Sequence, residues 1–346
     1  MTKYIGYIGS YTKKESEGVY KFILDTEKKQ LSGVEVAASL DNPTYVTISK
    51  DNQNLYAVAK EGDQGGVTAF EIADDQGSLR PLNSQVTPGS APCHVSVDSQ
   101  NQLVVAANYH TQLVEAFATN SDGSLQAPTS AKHEGNGPHE RQEKPHLHFA
   151  GYTPDERFVV VVDLGTDTIT TYQPQDGSLE EVNVLKTKPG SGPRHIAFHP
   201  NREYAYVMTE LSNEVIVLKY DQQDGRFEEW QYISTLPEDF TENSQGSAVH
   251  LSSDGRFVYA GNRGHNSIAV YRVLDDFTVE FIEWTDTEGD WPRDFVLDPS
   301  EQFIVASNQE SGTIVLFERD PEAGTLTLVQ KDVAAPEAVC LKFLYA

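Results

Sequence analysis

Apolar and polar positions alternate in short runs along the whole chain, and no amphipathic helical pattern persists beyond two turns. The runs recur as one phrase: a proline, mixed residues, an alternating strand, a turn and a second strand. It begins at Pro43, Pro92, Pro145, Pro193, Ser247, Pro292 and Pro336, at intervals of 44 to 54 residues. The copy from Pro193 shows the full order. IAFH is followed by a turn at Pro200 and Asn201, then YAYVM, the loop ELSNE, VIVLKY, the turn Asp224-Gly225 and FEEWQYI. Asp-Gly between alternating runs is a hairpin signal. It returns at Asp122-Gly123 and Asp176-Gly177, with relatives at Gln76-Gly77 and Ala323-Gly324.

Four antiparallel strands per repeat and seven repeats predict an all-β chain folded as a seven-bladed propeller, a single domain over 1–346. The stretch from Tyr4 to Leu40 offers three strand candidates and lacks a first one, whereas the copy from Pro336 supplies only one strand. The expectation is that this last strand closes a blade with the first three. Two polar segments, 128–144 and 236–246, break the rhythm and read as insertions, with His133 and His139 in the first of them solvated.

Charge narrows the partners. With 26 Lys plus Arg against 52 Asp plus Glu, the formal net charge is -26, which argues against nucleic acid or an anionic membrane. An anionic substrate would need a local cluster of cations. The two cysteines, Cys93 and Cys340, sit in non-adjacent repeats and are expected to be free thiols. No segment reaches the ~20 apolar residues of a membrane helix. The sequence therefore predicts a soluble, cytoplasmic protein, a monomer or weak homodimer.

In a propeller the start of each first strand and the end of each second strand share one face beside the central channel. Polar exceptions in those columns converge. With the repeats aligned on their prolines, the fourth column of the first strand is apolar except for His148 and His250, and the second column gathers His146, Arg194 and Arg293. The loops after the second strands add Glu210, Arg263 and Asn308. His, Arg and Glu on one face suit acyl or enolate chemistry on an anion. Plainer roles exist for each: His250 and His195 as structural hydrogen-bonding groups, and Arg194 and Arg293 in ion pairs with Glu210 or Asp294. The pair His146 and His148 has zinc-ligand spacing, but no third ligand accompanies it.

The run EGNGPHERQEKPHLHFAGYTPDERFVVVVDLGTDTITTY, from Glu134 to Tyr172, resembles the propeller-type 6-phosphogluconolactonases, the lactonase family that also contains fungal 3-carboxy-cis,cis-muconate lactonizing enzyme. SGPRHIAFHPNREYAYVMTELSNEV, from Ser191 to Val215, is similar to the next blade of the same family. Matched residue by residue, the resemblance implies catalytic roles for His148, Arg194, Glu210 and Arg263. It departs at Gly137-Pro138-His139-Glu140-Arg141, where the family commonly has GPNPERQE and this chain is one residue shorter.

The resemblance implies hydrolysis of 6-phospho-D-glucono-1,5-lactone, an anionic sugar lactone, without metal or organic cofactor. His148 or Glu210 would be the general base. Arg194 and Arg263 would bind the oxyanion or the phosphate, with Arg293, His146, His250 and Asn308 in supporting contact with substrate. The alternatives are a cycloisomerase or lactonase acting on a carboxylated muconate or another sugar lactone, and a non-catalytic scaffold. A scaffold predicts an apolar or aromatic face.

Overall fold

The computed structural model describes residues 3–175 and 177–345. Asp176 of the Asp176-Gly177 turn lies outside the described residues. The 28 strands form seven four-stranded antiparallel sheets. Blade I joins Ala338–Phe343 to Lys3–Ser10, Gly18–Asp25 and Gln30–Ser39. The first strands of blades II to VII are Val46–Ile48, His94–Val97, Leu147–Tyr152, Pro193–Phe198, Gln245–Leu251 and Pro292–Leu297, and those of neighbouring blades pack in cyclic order around the channel. The last strand therefore closes the ring, as the repeat predicted. Among the described residues no helix is long and apolar enough to cross a membrane.

The core lies between blades. Val160, Val162 and Ile169 of blade IV pack against Ile196, Val207, Ile216 and Leu218 of blade V. Each such side chain gains ~1.5–3 kcal/mol on full burial. Polar latches add direction to this packing. Tyr7, Tyr56 and Tyr259 each donate a hydroxyl hydrogen bond to a turn glycine carbonyl of the next blade, at Gly77, Gly123 and Gly324. These glycines have φ of 71°, 84° and 79°, the left-handed region that the turn requires.

Two features of the pairing differ from the proline alignment. Part of 128–144 is not an insertion, because Thr129–Lys132 is the outer strand of blade III. The alignment itself slips in three blades. Leu147, Gly246, Pro292 and Ala338 occupy the place of Pro193, pairing respectively with Asp163, Asn262, Asn308 and Ser10 as Pro193 pairs with Thr209. Blade IV is thus displaced by two residues, blade VI by one and blade I by two. In the corrected register Thr44, Cys93, His148, Arg194, Ser247, Arg293 and Val339 form a single column.

The same strands share a further device. The register shifts between Leu147 and Phe149, between Pro193 and His195, and between Pro292 and Asp294. His148, Arg194 and Arg293 are each the extra residue of a β-bulge. A bulge leaves its residue outside the ladder and re-aims the side chain, here toward the mouth of the channel.

Candidate active site

Thr44, Cys93, His148 and Arg293 of that column line a cavity of ≈ 490 Å³ at one mouth of the channel, together with Glu210, Arg263 and Arg141 among others. A smaller cleft below it adds Arg194 to the same group. Glu210 follows the second strand of blade V, and Arg263 ends the second strand of blade VI, so strand ends from two blades meet the bulges of the first strands.

Glu210 is the hub. Arg194 Nε donates to Oε2 at 3.0 Å, Arg263 Nη2 approaches the same oxygen at 2.6 Å, and Arg141 donates to Oε1. Backbone carbonyls fix the two inner guanidiniums: Arg194 Nη1 donates to Ser247 O at 2.7 Å, and Arg263 Nη2 to Gly246 O at 2.6 Å. The carboxylate is 3% exposed. Burial favours its neutral form, but the charges of Arg263, Arg194 and Arg141 outweigh burial and hold its pKa well below the usual carboxylate value. Burial pushes the Arg263 guanidinium down to about 9 against the pull of Glu210, which leaves it charged at neutral pH.

Among the described residues the His148 ring makes no hydrogen bond. Its Nδ1 is buried without a partner, and Nε2 stands 4.0 Å from Glu210 Oε2. Burial, reinforced by the charge of Arg194, depresses its pKa well below the ordinary imidazole value, so the ring is neutral. Cys93 shares the pocket, but burial raises its thiol to about 12, which removes it as a thiolate nucleophile.

Four of the expected residues therefore converge, His148, Arg194, Glu210 and Arg263, and Arg293 joins them from blade VII. Three do not line the pocket. His146 stacks on Tyr109, and its ring nitrogens meet Tyr109 O at 2.9 Å and Glu143 at 3.1 Å. Both nitrogens are occupied by protein groups, which also removes the HxH metal reading. His250, one position out of the assumed register, faces the far part of the channel with His94, His195 and Lys342, and its Nε2 lies 3.3 Å from Asp294. A one-residue slip of a strand turns every side chain to the opposite face.

Asn308 is a latch. Its Nδ2 donates to Thr287 O at 2.8 Å, as Asn262 does to Thr235 O and Asn108 to Ser90 O. His133, expected to be solvated, is buried between Asp163 and the Tyr172 hydroxyl, whereas His139 is exposed.

Arg141, Tyr109 and Trp291 also line the pocket; Tyr109 stands in a loop after a second strand, where the repeat gathers its polar exceptions, whereas the repeat does not single out Arg141 or Trp291. Arg141 lies in the segment after the outer strand of blade III. The adjacent Gln142 pins that segment, donating to Leu164 O at 2.8 Å and to Asp167 at 2.7 Å. Trp291 holds φ at 64°, an uncommon conformation for a bulky residue, with its ring facing Arg263. The proline before blade VII's bulge was the only signal near it.

Fold and pocket together define a propeller of the lactonase class. Residues 5–343 match the family model described as lactonase, 7-bladed beta-propeller, and the chain belongs to that family. It is 58% identical to the 6-phosphogluconolactonase of Bacillus subtilis, over 100% of this chain and 99% of that one. Among solved structures, a Lactobacillus plantarum protein superposes with a TM-score of 0.96 at 42% identity, covering 99% of this chain and 100% of the other. The periplasmic gluconolactonase of Pseudomonas aeruginosa does so with a TM-score of 0.94 at 29% identity, covering 99% of each.

Proposed function

We propose that the protein hydrolyses 6-phospho-D-glucono-1,5-lactone to 6-phosphogluconate, with His148 as general base. The observation that carries this reading is the contrast between the two candidate bases. Glu210 is bound by three guanidiniums and holds its charge too firmly to take a proton. His148 is neutral, and its ring nitrogens are uncommitted at the pocket floor.

A lactone is an activated ester, so the site has to position water, remove a proton and stabilise the oxyanion. His148 takes a proton from water as the oxygen attacks the acyl carbon. Arg194 and Arg263, held in place by Glu210 and backbone carbonyls, stabilise the charge that develops on the carbonyl oxygen. Collapse of the tetrahedral intermediate breaks the bond to the ring oxygen, which receives the proton back from the imidazolium. The nearby Glu210 carboxylate stabilises that imidazolium while it lasts. Collapse leaves His148 neutral and yields the aldonic acid, which loses its carboxyl proton to solvent and is released as the aldonate.

A scaffold reading would need an apolar face, and the pocket instead presents guanidinium, imidazole and carboxylate groups. The two free thiols support a reducing, cytoplasmic setting. The test is turnover of freshly generated 6-phosphogluconolactone against glucono-1,5-lactone, each corrected for spontaneous hydrolysis. A clear preference for the phosphorylated lactone is expected, and equal rates would contradict the substrate assignment.

A further inference from the structure

We infer that the substrate's phosphate binds along the wall made by Arg293, Lys13 and Lys60, and that the three guanidiniums around Glu210 take no part in holding it. The inference rests on the reading of the substrate as a phosphorylated lactone.

The pocket's cations fall into two groups. Arg141, Arg194 and Arg263, from the segment entering blade IV and from blades V and VI, are bridged by Glu210. Arg293, Lys13 and Lys60 line the same cavity from blades VII, I and II, which are consecutive in the ring. Among the described residues none of these three has a carboxylate within ion-pair distance. Other lysines of this acidic chain do: Lys29 pairs with Glu318, Lys188 with Glu214 and Lys331 with Glu288.

Arg293 is the more telling member. Among the described residues its side chain makes one hydrogen bond, from Nη1 to the Gln309 amide oxygen at 3.2 Å, and its Nε is buried with no partner. Leaving a buried donor unsatisfied is unfavourable, and more so for a charged group. An anion entering the cavity would satisfy it. The guanidinium lies against the Tyr11 ring, with Lys13 Nζ 3.9 Å from the centroid of that ring, so one aromatic platform holds two of the three cations.

A phosphate monoester, close to a dianion at neutral pH, suits a planar guanidinium with two mobile ammonium groups at the rim. In a 6-phospho-1,5-lactone the phosphorus is several bonds from the acyl carbon. One substrate can therefore present its carbonyl to Arg194 and Arg263 and its phosphate to Arg293. This also answers the electrostatic problem posed by a net charge of -26: uncompensated positive charge is concentrated where a dianion must enter.

The test is calorimetric titration of inorganic phosphate and 6-phosphogluconate into wild type, Arg293→Gln and the double variant Lys13→Gln/Lys60→Gln. We expect 6-phosphogluconate affinity to fall ~30-fold in Arg293→Gln and ~10-fold in the lysine pair, from loss of charge-assisted hydrogen bonds. Inorganic phosphate should follow the same order. Affinities within threefold of wild type in both variants would overturn the inference. The exposed lysine pair keeps the test decisive if Arg293→Gln fails to fold. Arg293-dependent phosphate binding without preferential turnover of the phosphorylated lactone would leave the anion subsite standing and refute the substrate reading. Preferential turnover with unaltered binding would refute the subsite alone.

Discussion

Around one pocket, two arcs of the ring hold cationic side chains in different states. From blade IV to blade VI, Arg141, Arg194 and Arg263 converge on Glu210, and backbone carbonyls fix Arg194 and Arg263 further. From blade VII to blade II, Arg293, Lys13 and Lys60 have no internal counter-charge among the described residues. An internally bridged guanidinium cannot swing toward a ground-state anion, yet it can stabilise charge that develops at a fixed point, with little reorganisation. An unbridged one is free to bind an anion that the substrate brings. The difference assigns chemistry to the first arc and recognition to the second.

The most drastic way to break this contrast is to remove the hub. Glu210→Ala leaves three buried or half-buried guanidiniums without their carboxylate, and stability should fall by ~3–5 kcal/mol in denaturant titrations, with loss of turnover. A change below ~1 kcal/mol would mean that the bridge does not organise the first arc.

A second test uses pH. His94, His148 and His195 are all held neutral by burial, their pKa values well below the ordinary 6.5. The unfolded chain takes up these protons as pH falls through ~6.5 and the folded chain does not, so stability is full above that pH and declines below it. Each histidine contributes a slope of up to ~1.4 kcal/mol per pH unit. Denaturant midpoints at pH 7.5, 6.5 and 5.5 should show the decline. kcat/KM should carry no limb from His148 protonation near pH 6.5, since that ring remains neutral in the fold until well below it. Flat stability over this range, or such a limb at 6.5, would contradict the assignment.

The smallest effect expected is at the rim of the first arc. Arg141 is one-third exposed, and Arg141→Ala should lower kcat/KM about fivefold, in line with a partly solvated ion pair. A loss as large as that of an inner arginine would move Arg141 into the catalytic centre.

The ring, its closure by the last strand and the face that carries the chemistry could all be read from alternation and turn residues, because these repeat. Register could not. The proline landmark is absent from the head of the first strand in blades I, IV and VI, so counting from the nearest proline or serine placed His148 two positions late and His250 one position early. The two-residue slip left His148 on the correct face. The one-residue slip brought His250 to the wrong one, and Asn308, the last residue of blade VII's second strand, was flagged by type although its amide serves the backbone. Bulges at His148, Arg194 and Arg293 leave no mark in a hydrophobic pattern. Arg141 was hidden because its segment has no counterpart in the other blades, and only the burial of Gln142 and His133 reveals that this segment is pinned.

The division of the pocket is tested most directly by the ratio of kcat/KM for 6-phosphogluconolactone to that for glucono-1,5-lactone, measured in His148→Ala and in Arg293→Gln. His148→Ala should lower both values by ~10²–10⁴, the usual worth of a general base, and leave their ratio near that of wild type. Arg293→Gln should reduce the ratio by ~30-fold, the loss expected when a charged hydrogen-bond donor to the phosphate is removed. A ratio unchanged in Arg293→Gln, or one that collapses in His148→Ala, would contradict the separation of chemistry from phosphate recognition.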